Sequence, residues 1–137
     1  MQNMENLVIN ENDLDYELAH QAAKYLHAAK QYFEAETAYR MAKSNLEYVE
    51  SVVRREVRDN ADKKMTVDQV ADAARLDQRV VEAQRAYNEA TANRDYYKSL
   101  KEAWYQRKDL VVQLAILQRN ELNSLSSEHV VQEQQAQ

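Results

Sequence analysis

Between residues 18 and 53, large residues recur at every seventh position. Leu18, Tyr25, Tyr32, Tyr39, Leu46 and Val53 share one register, and three residues after the first five come Gln21, Ala28, Ala35, Ala42 and Val49. A large-and-small alternation at heptad spacing is the seam of helices packed with a left-handed crossing. Alanine at one position lets the partner helix approach, while the phenol oxygens of tyrosine reach the rim of the seam. The pattern predicts a long helix from about Asp13 to Asp59, with its tyrosines engaged in packing first and in stacking on bases or ligands only second.

The register breaks at "RDNADKKMTVDQ". Asn60 and Asp62 are turn formers. Thr66 with Gln69 three residues on is a capping box, and Met65 and Val70 are spaced as a hydrophobic staple. A short helix over 67–75 follows from these signals, and Asp77 is suited to cap a third helix from Gln78 to about Asn123. In that helix Tyr96, Leu100, Ala103, Arg107, Leu110, Leu114 and Leu117 alternate by four and three, a stripe with one arginine in it. The remaining "SLSSEHVVQEQQAQ" is polar and Gln-rich and reads as a frayed tail.

The expected fold is therefore all-α: a long antiparallel helical hairpin of long, short and long helices, resembling a coiled coil. Residues 1–12 form an acidic N-terminal segment, 13–123 a single domain and 124–137 the tail. Helices of about 47 residues would each be ~70 Å long. Beside the seam lie Ala22, Leu26, Ala29 and Phe33 on the first helix and Val111, Val112, Ala115 and Ile116 on the third. A second apolar stripe calls for a second partner, and self-association through Leu26, Phe33, Val112 and Ile116 is the simplest source of one.

Composition narrows the chemistry. The 137 residues include no Gly, Pro or Cys. Gly-rich phosphate loops, disulfides, Cys-zinc sites and thiol nucleophiles are excluded. No apolar run approaches the ~20 residues that span a bilayer, so no membrane partner is expected. "MQNMENLVINEND" is acidic with a short apolar island, unlike a signal or transit peptide. Glu17 and His20 make one Glu-x-x-His pair, but a bundle di-metal site takes two, and His27 and His129 do not complete it. Ser44, Ser51 and Ser99 have no recognisable His and acid companions. No catalytic constellation, metal site or cofactor is expected, and the chain does not read as an enzyme.

The net charge of −5 is unevenly spread. Residues 1–23 and 121–137 carry acids and no Lys or Arg, so all 18 basic residues lie in 24–120 against 15 acids. Two basic clusters stand out in this body. One is Arg54, Arg55, Arg58, Lys63 and Lys64, where cations near a helix C-terminus also complement its dipole. The other is Arg94, Lys98, Lys101, Arg107 and Lys108 among Tyr96, Tyr97, Trp104 and Tyr105. Cations that follow phosphates beside rings that stack on bases are the means of sequence-tolerant single-strand binding. Helical spacing puts Lys98, Lys101, Tyr105 and Lys108 on one face and Arg107 on the apolar stripe. On the residues alone, packing with solvated charge accounts for both clusters.

The order of parts resembles the UvsY-like recombination mediators of tailed bacteriophages. The resemblance rests on a long first helix ending in "VVRREVRDNADKK", a capped short helix "TVDQVADAARLD", and a last helix carrying "YYKSLKEAWYQRKDLVVQLAILQRNEL". It covers about residues 13–123. It implies a homo-oligomeric protein of the bacterial host cytoplasm that binds single-stranded DNA. It also implies assistance in loading a recombinase onto strands covered by single-strand-binding protein. It carries the DNA contacts onto Arg54, Arg55 and Arg58 and, later, onto Arg107 and Lys108. A helical scaffold or assembly chaperone acting through protein contacts is the alternative that the helices alone allow.

Overall fold

The computed structural model of the chain describes residues 7–136. Of the acidic first segment, residues 1–6 lie outside the described residues. The described chain is all-α: α1 (Leu14–Asp59), α2 (Val67–Arg75) and α3 (Gln78–Gln135) follow a short 3₁₀ turn at Glu11–Asp13. The expected long, short, long order holds, and the first two helices have nearly the expected bounds.

The turns work without glycine. Asp13 accepts from Tyr16 N at 3.3 Å, capping α1. At its end the Asn60 amide bonds back to Glu56 O at 3.0 Å, and among the described residues none has a positive φ. Thr66 then caps α2: its hydroxyl accepts from Gln69 N at 3.2 Å, and the Gln69 side chain accepts from Thr66 N at 3.0 Å. This reciprocal pair satisfies two amide donors that the first helical turn leaves open. Asp77 Oδ1 accepts from Arg79 N at 2.9 Å at the start of α3.

The tail expectation is corrected. α3 continues through residues 124–135 with no residue there that terminates a helix, and His129 and Glu133 pair one turn apart at 3.3 Å. Those residues are all exposed.

The chain divides into two compact units: α1 through Ala28 with α3 from Leu100, and the stretch Ala29–Ser99. Within the second, α1 and α3 run antiparallel, joined by α2. Its core gathers Leu46 and Val53 of α1, Ala74 of α2 and Val80 and Ala83 of α3, with Tyr87 against it. Tyr39 lies across the pair: its ring centroid is 5.6 Å from that of Tyr87. The Arg94 guanidinium covers the Tyr39 ring at 3.8 Å. Tyr32 and Tyr39 are half-buried between buried or half-buried alanines, as a packing seam requires. A second tie closes the corner. Arg79 reaches Glu56 through both terminal nitrogens and also bonds Asp77, so α1's last turn is held to the start of α3.

In the first unit the two long helices are again antiparallel, but the seam is rotated from the expected one. Leu14, Glu17 and Gln21 are buried on α1 while Leu18 is exposed. On α3 the buried line is Leu100, Trp104, Arg107 and Val111; Leu110 and Leu117, expected inside, are exposed. The two stripes differ by about one residue and both satisfy helical spacing. Burying the indole of Trp104, which is 1% exposed, removes far more apolar area from water than burying Ala103 would.

Leu46→Ala should lower unfolding free energy by about 2–5 kcal/mol, the usual cost of truncating a buried leucine. Leu76→Ala, at an exposed corner, should stay within ~0.5 kcal/mol of the parent. Urea melts of both variants check this, and equal midpoints would remove Leu46 from the core.

Candidate nucleic-acid interface

Four residues of α1 and four from the connection and α2 enclose a groove of about 360 Å³. Ser51, Arg54, Arg55 and Arg58 form one wall; Met65, Val67, Val70 and Ala71 form the other. Arg54 and Arg58, four apart, and Arg55 and Arg58, three apart, share a side of the helix, so all three reach the groove. All three are exposed. Arg54 pairs with Glu50 one turn back at 3.7 Å. Arg55 and Arg58 have no ion pair among the described residues. Glu56, which would otherwise offset their charge, is engaged by Arg79. The Arg79 hydrogen bond holds its carboxyl below the ordinary range, against a smaller opposing effect of burial. The wall is thus cationic, and its neighbouring carboxylate already has a partner.

The other candidates are placed differently. Lys63 and Lys64 are exposed on the α1–α2 connection but do not line the groove. Lys98 is exposed on α3 within the Ala29–Ser99 unit. Lys101, Tyr105 and Lys108 belong to the other unit, where Lys101 is half-buried and the other two are exposed. Lys108 Nζ lies 4.5 Å from the Tyr105 ring centroid and 4.0 Å from Asp109. Tyr105 packs at a tilt on Tyr25, with centroids 6.1 Å apart. Beside them is a groove of about 280 Å³ walled mainly by Leu18, Ala22, Tyr25 and Tyr105.

Arg107 is a correction. Only 3% of it is exposed, and its guanidinium is used up inside the protein. Nε donates to Leu7 O at 2.9 Å, Nη1 to Gln21 Oε1 at 2.8 Å, and Nη2 to Val8 O at 3.1 Å and to a Glu17 carboxylate oxygen. Gln21 Nε2 in turn donates to Trp104 O at 2.6 Å, and the guanidinium lies 4.9 Å from the Trp104 ring centroid. A buried cation must be paired and hydrogen-bonded, and these partners leave it no access to a phosphate. Trp104, placed with the stacking aromatics by sequence, is interior for the same reason. The Glu17–His20 pair is likewise split: Glu17 serves Arg107, while His20 stacks on Tyr16 with centroids 3.9 Å apart. Among the described residues no group of three or more His, Cys, Asp or Glu side chains could hold a metal ion. No helix there is long and apolar enough to cross a membrane.

Leu26, Phe33, Val112 and Ile116, expected at an oligomer interface, are all exposed on the chain. Ala29 and Val111 from the same stripes are instead buried within it. The groove residues that sequence reasoning missed as a site are Ser51, Met65, Val67, Val70 and Ala71. Met65 and Val70 were legible as a staple, but not as the wall facing the arginines.

No family model matches the chain, and no curated protein or solved structure was found to be similar to it.

Glu17 gives a pH signature. Burial raises its carboxyl, but the Arg107 hydrogen bond, the Asn10 amide and the nearby positive charges together bring it below the ordinary 4.5. A carboxyl lowered in the folded state stabilises the fold above its unfolded value, and that contribution is lost as pH falls through the folded one. Glu17→Gln should therefore melt several degrees below the parent at neutral pH, with the gap closing below about pH 4.5. Thermal melts across pH 3–7 check this; a gap that does not change with pH would mean that Glu17 carries no charge in the fold.

Proposed function

We propose that the chain binds single-stranded DNA through the arginine groove, as a homo-oligomeric accessory in bacteriophage recombination that helps load a recombinase. The observation that carries this reading is the convergence of Arg54, Arg55 and Arg58 on one open groove whose nearby Glu56 is paired elsewhere. Guanidiniums bind phosphate oxygens through paired N–H donors, and release of condensed counterions supplies the driving force. Lys63 and Lys64 extend the positive charge along the exposed connection. The recombination setting, with a recombinase and single-strand-binding protein as partners, is supported by the resemblance of the helix order and of the "VVRREVRDNADKK" segment.

A second reading has its own support. Leu26, Phe33, Val112 and Ile116 leave apolar surface in water, which suits a scaffold or assembly chaperone working through protein contacts. The same residues serve a homo-oligomer under the first reading, so DNA binding is what separates the two.

Fluorescence anisotropy with a labelled single strand should show binding that weakens with salt. Four contacting cations per subunit would give a log–log slope near −3, at ~0.7 per phosphate. Changing Arg54, Arg55 and Arg58 together to Ala should flatten the slope by up to ~2 with helicity intact. A triple variant with the parent's affinity and slope would exclude this groove. A parent with no affinity at low salt would leave the scaffold reading.

A further inference from the structure

The second wall of the arginine groove has no counterpart in phosphate binding. Val67 opens α2 at a position where proline or an acid best serves a helix start. It is a β-branched valine that stays 85% exposed. Val70, on the same side of α2, is buried in the fold, so packing accounts for Val70 and not for Val67. Met65, half-buried, precedes the cap, and both side chains line the groove opposite the guanidiniums. The volume, about 360 Å³, falls within the ~300–1,000 Å³ usual for small-molecule sites.

We propose that Val67 and Met65 form a base-contact subsite, so that the groove takes an unpaired nucleotide with phosphates on the arginine wall and the base on the α2 wall. This rests on the DNA-binding reading above and adds what selects the strand. Phosphates are equally accessible on duplex and single strands, so the arginines alone do not distinguish the two. The face of a base is open only when the base is unstacked. An apolar wall gains by covering that face and reads none of its edges, which makes the contact sequence-tolerant. An acidic peptide with one apolar side chain would meet the same two walls. The run of arginines at steps of one and three, with two lysines following on the connection, favours a ligand of regularly repeated negative charge.

The test compares an oligothymidylate with an abasic oligomer of the same length, which keeps the phosphates and lacks the bases. The parent should bind the oligothymidylate about fivefold more tightly, the gain expected from removing ~40 Å² of apolar surface from water. Val67→Ser should bring that ratio close to one. Val67→Trp, at a position exposed enough to accept a larger ring, should raise it. Circular dichroism confirms that each variant keeps its helices. A parent that binds both oligomers equally, through the arginines, would overturn the subsite and leave the phosphate contact standing. A ratio unmoved by either Val67 variant would overturn it as well. Binding of neither oligomer, with a Glu- and Leu-containing peptide bound instead, would overturn the DNA reading together with the subsite.

Discussion

A guanidinium inside a protein demands acceptors, and Arg107 obtains them from two segments of the chain. The Glu17 carboxylate and Gln21 amide come from α1, and the carbonyls of Leu7 and Val8 come from the segment before it. Four hydrogen bonds of fixed geometry allow α1 and α3 only one register in this unit. A slip of one turn along either helix would leave a charge buried without partners, at a cost of about 3–5 kcal/mol. Trp104 fills the space beside the guanidinium, and Gln21 links the two by donating to the Trp104 carbonyl. The same demand ties Leu7 and Val8 to α3 through their backbone carbonyls.

The Ala29–Ser99 unit uses a surface arginine for a comparable task. Arg79 spans Glu56 and Asp77 and so pins the last turn of α1 to the corner between α2 and α3. Exposed pairs of this kind contribute little to stability individually. Their value here is positional: Glu56 is drawn to one side of α1, and Arg54, Arg55 and Arg58 remain on another as a cationic wall. Core packing of Leu46, Val53, Ala74, Val80 and Ala83 supplies the stability that holds α2 opposite that wall. The candidate site is therefore a by-product of how the corner is closed.

The two roles of arginine explain why one basic cluster lines its groove with arginines while the groove beside the other is mainly apolar. Around Arg54 the helix ends, the chain turns and α2 provides a facing surface. Around Arg107 the helix continues and the partner helix covers it. Lys101 and Lys108 lie on the flank of α3, where Lys108 rests on Tyr105 and beside Asp109. Similar compositions in the two segments thus have opposite surroundings.

Helix type, order and caps follow from local chemistry, and for that reason they were legible. Thr66 and Gln69 bond to each other's backbone within four residues, and the heptad from Tyr32 to Val53 states its own face, although its first member, Leu18, is left exposed. The exposure of Arg54, Arg55 and Arg58 was legible for the same reason. The depth of Arg107 was not. Two stripes about one residue apart on α3 both satisfy helical spacing, and only the partner helix decides whether Ala103 or Trp104 turns inward. Nor could the chain announce that α2 would lie across the arginines, because that depends on apolar side chains distant in sequence meeting in one core. Local propensity sets what each segment becomes; the burial of Trp104 and the pairing of two arginines set which residues are left facing solvent.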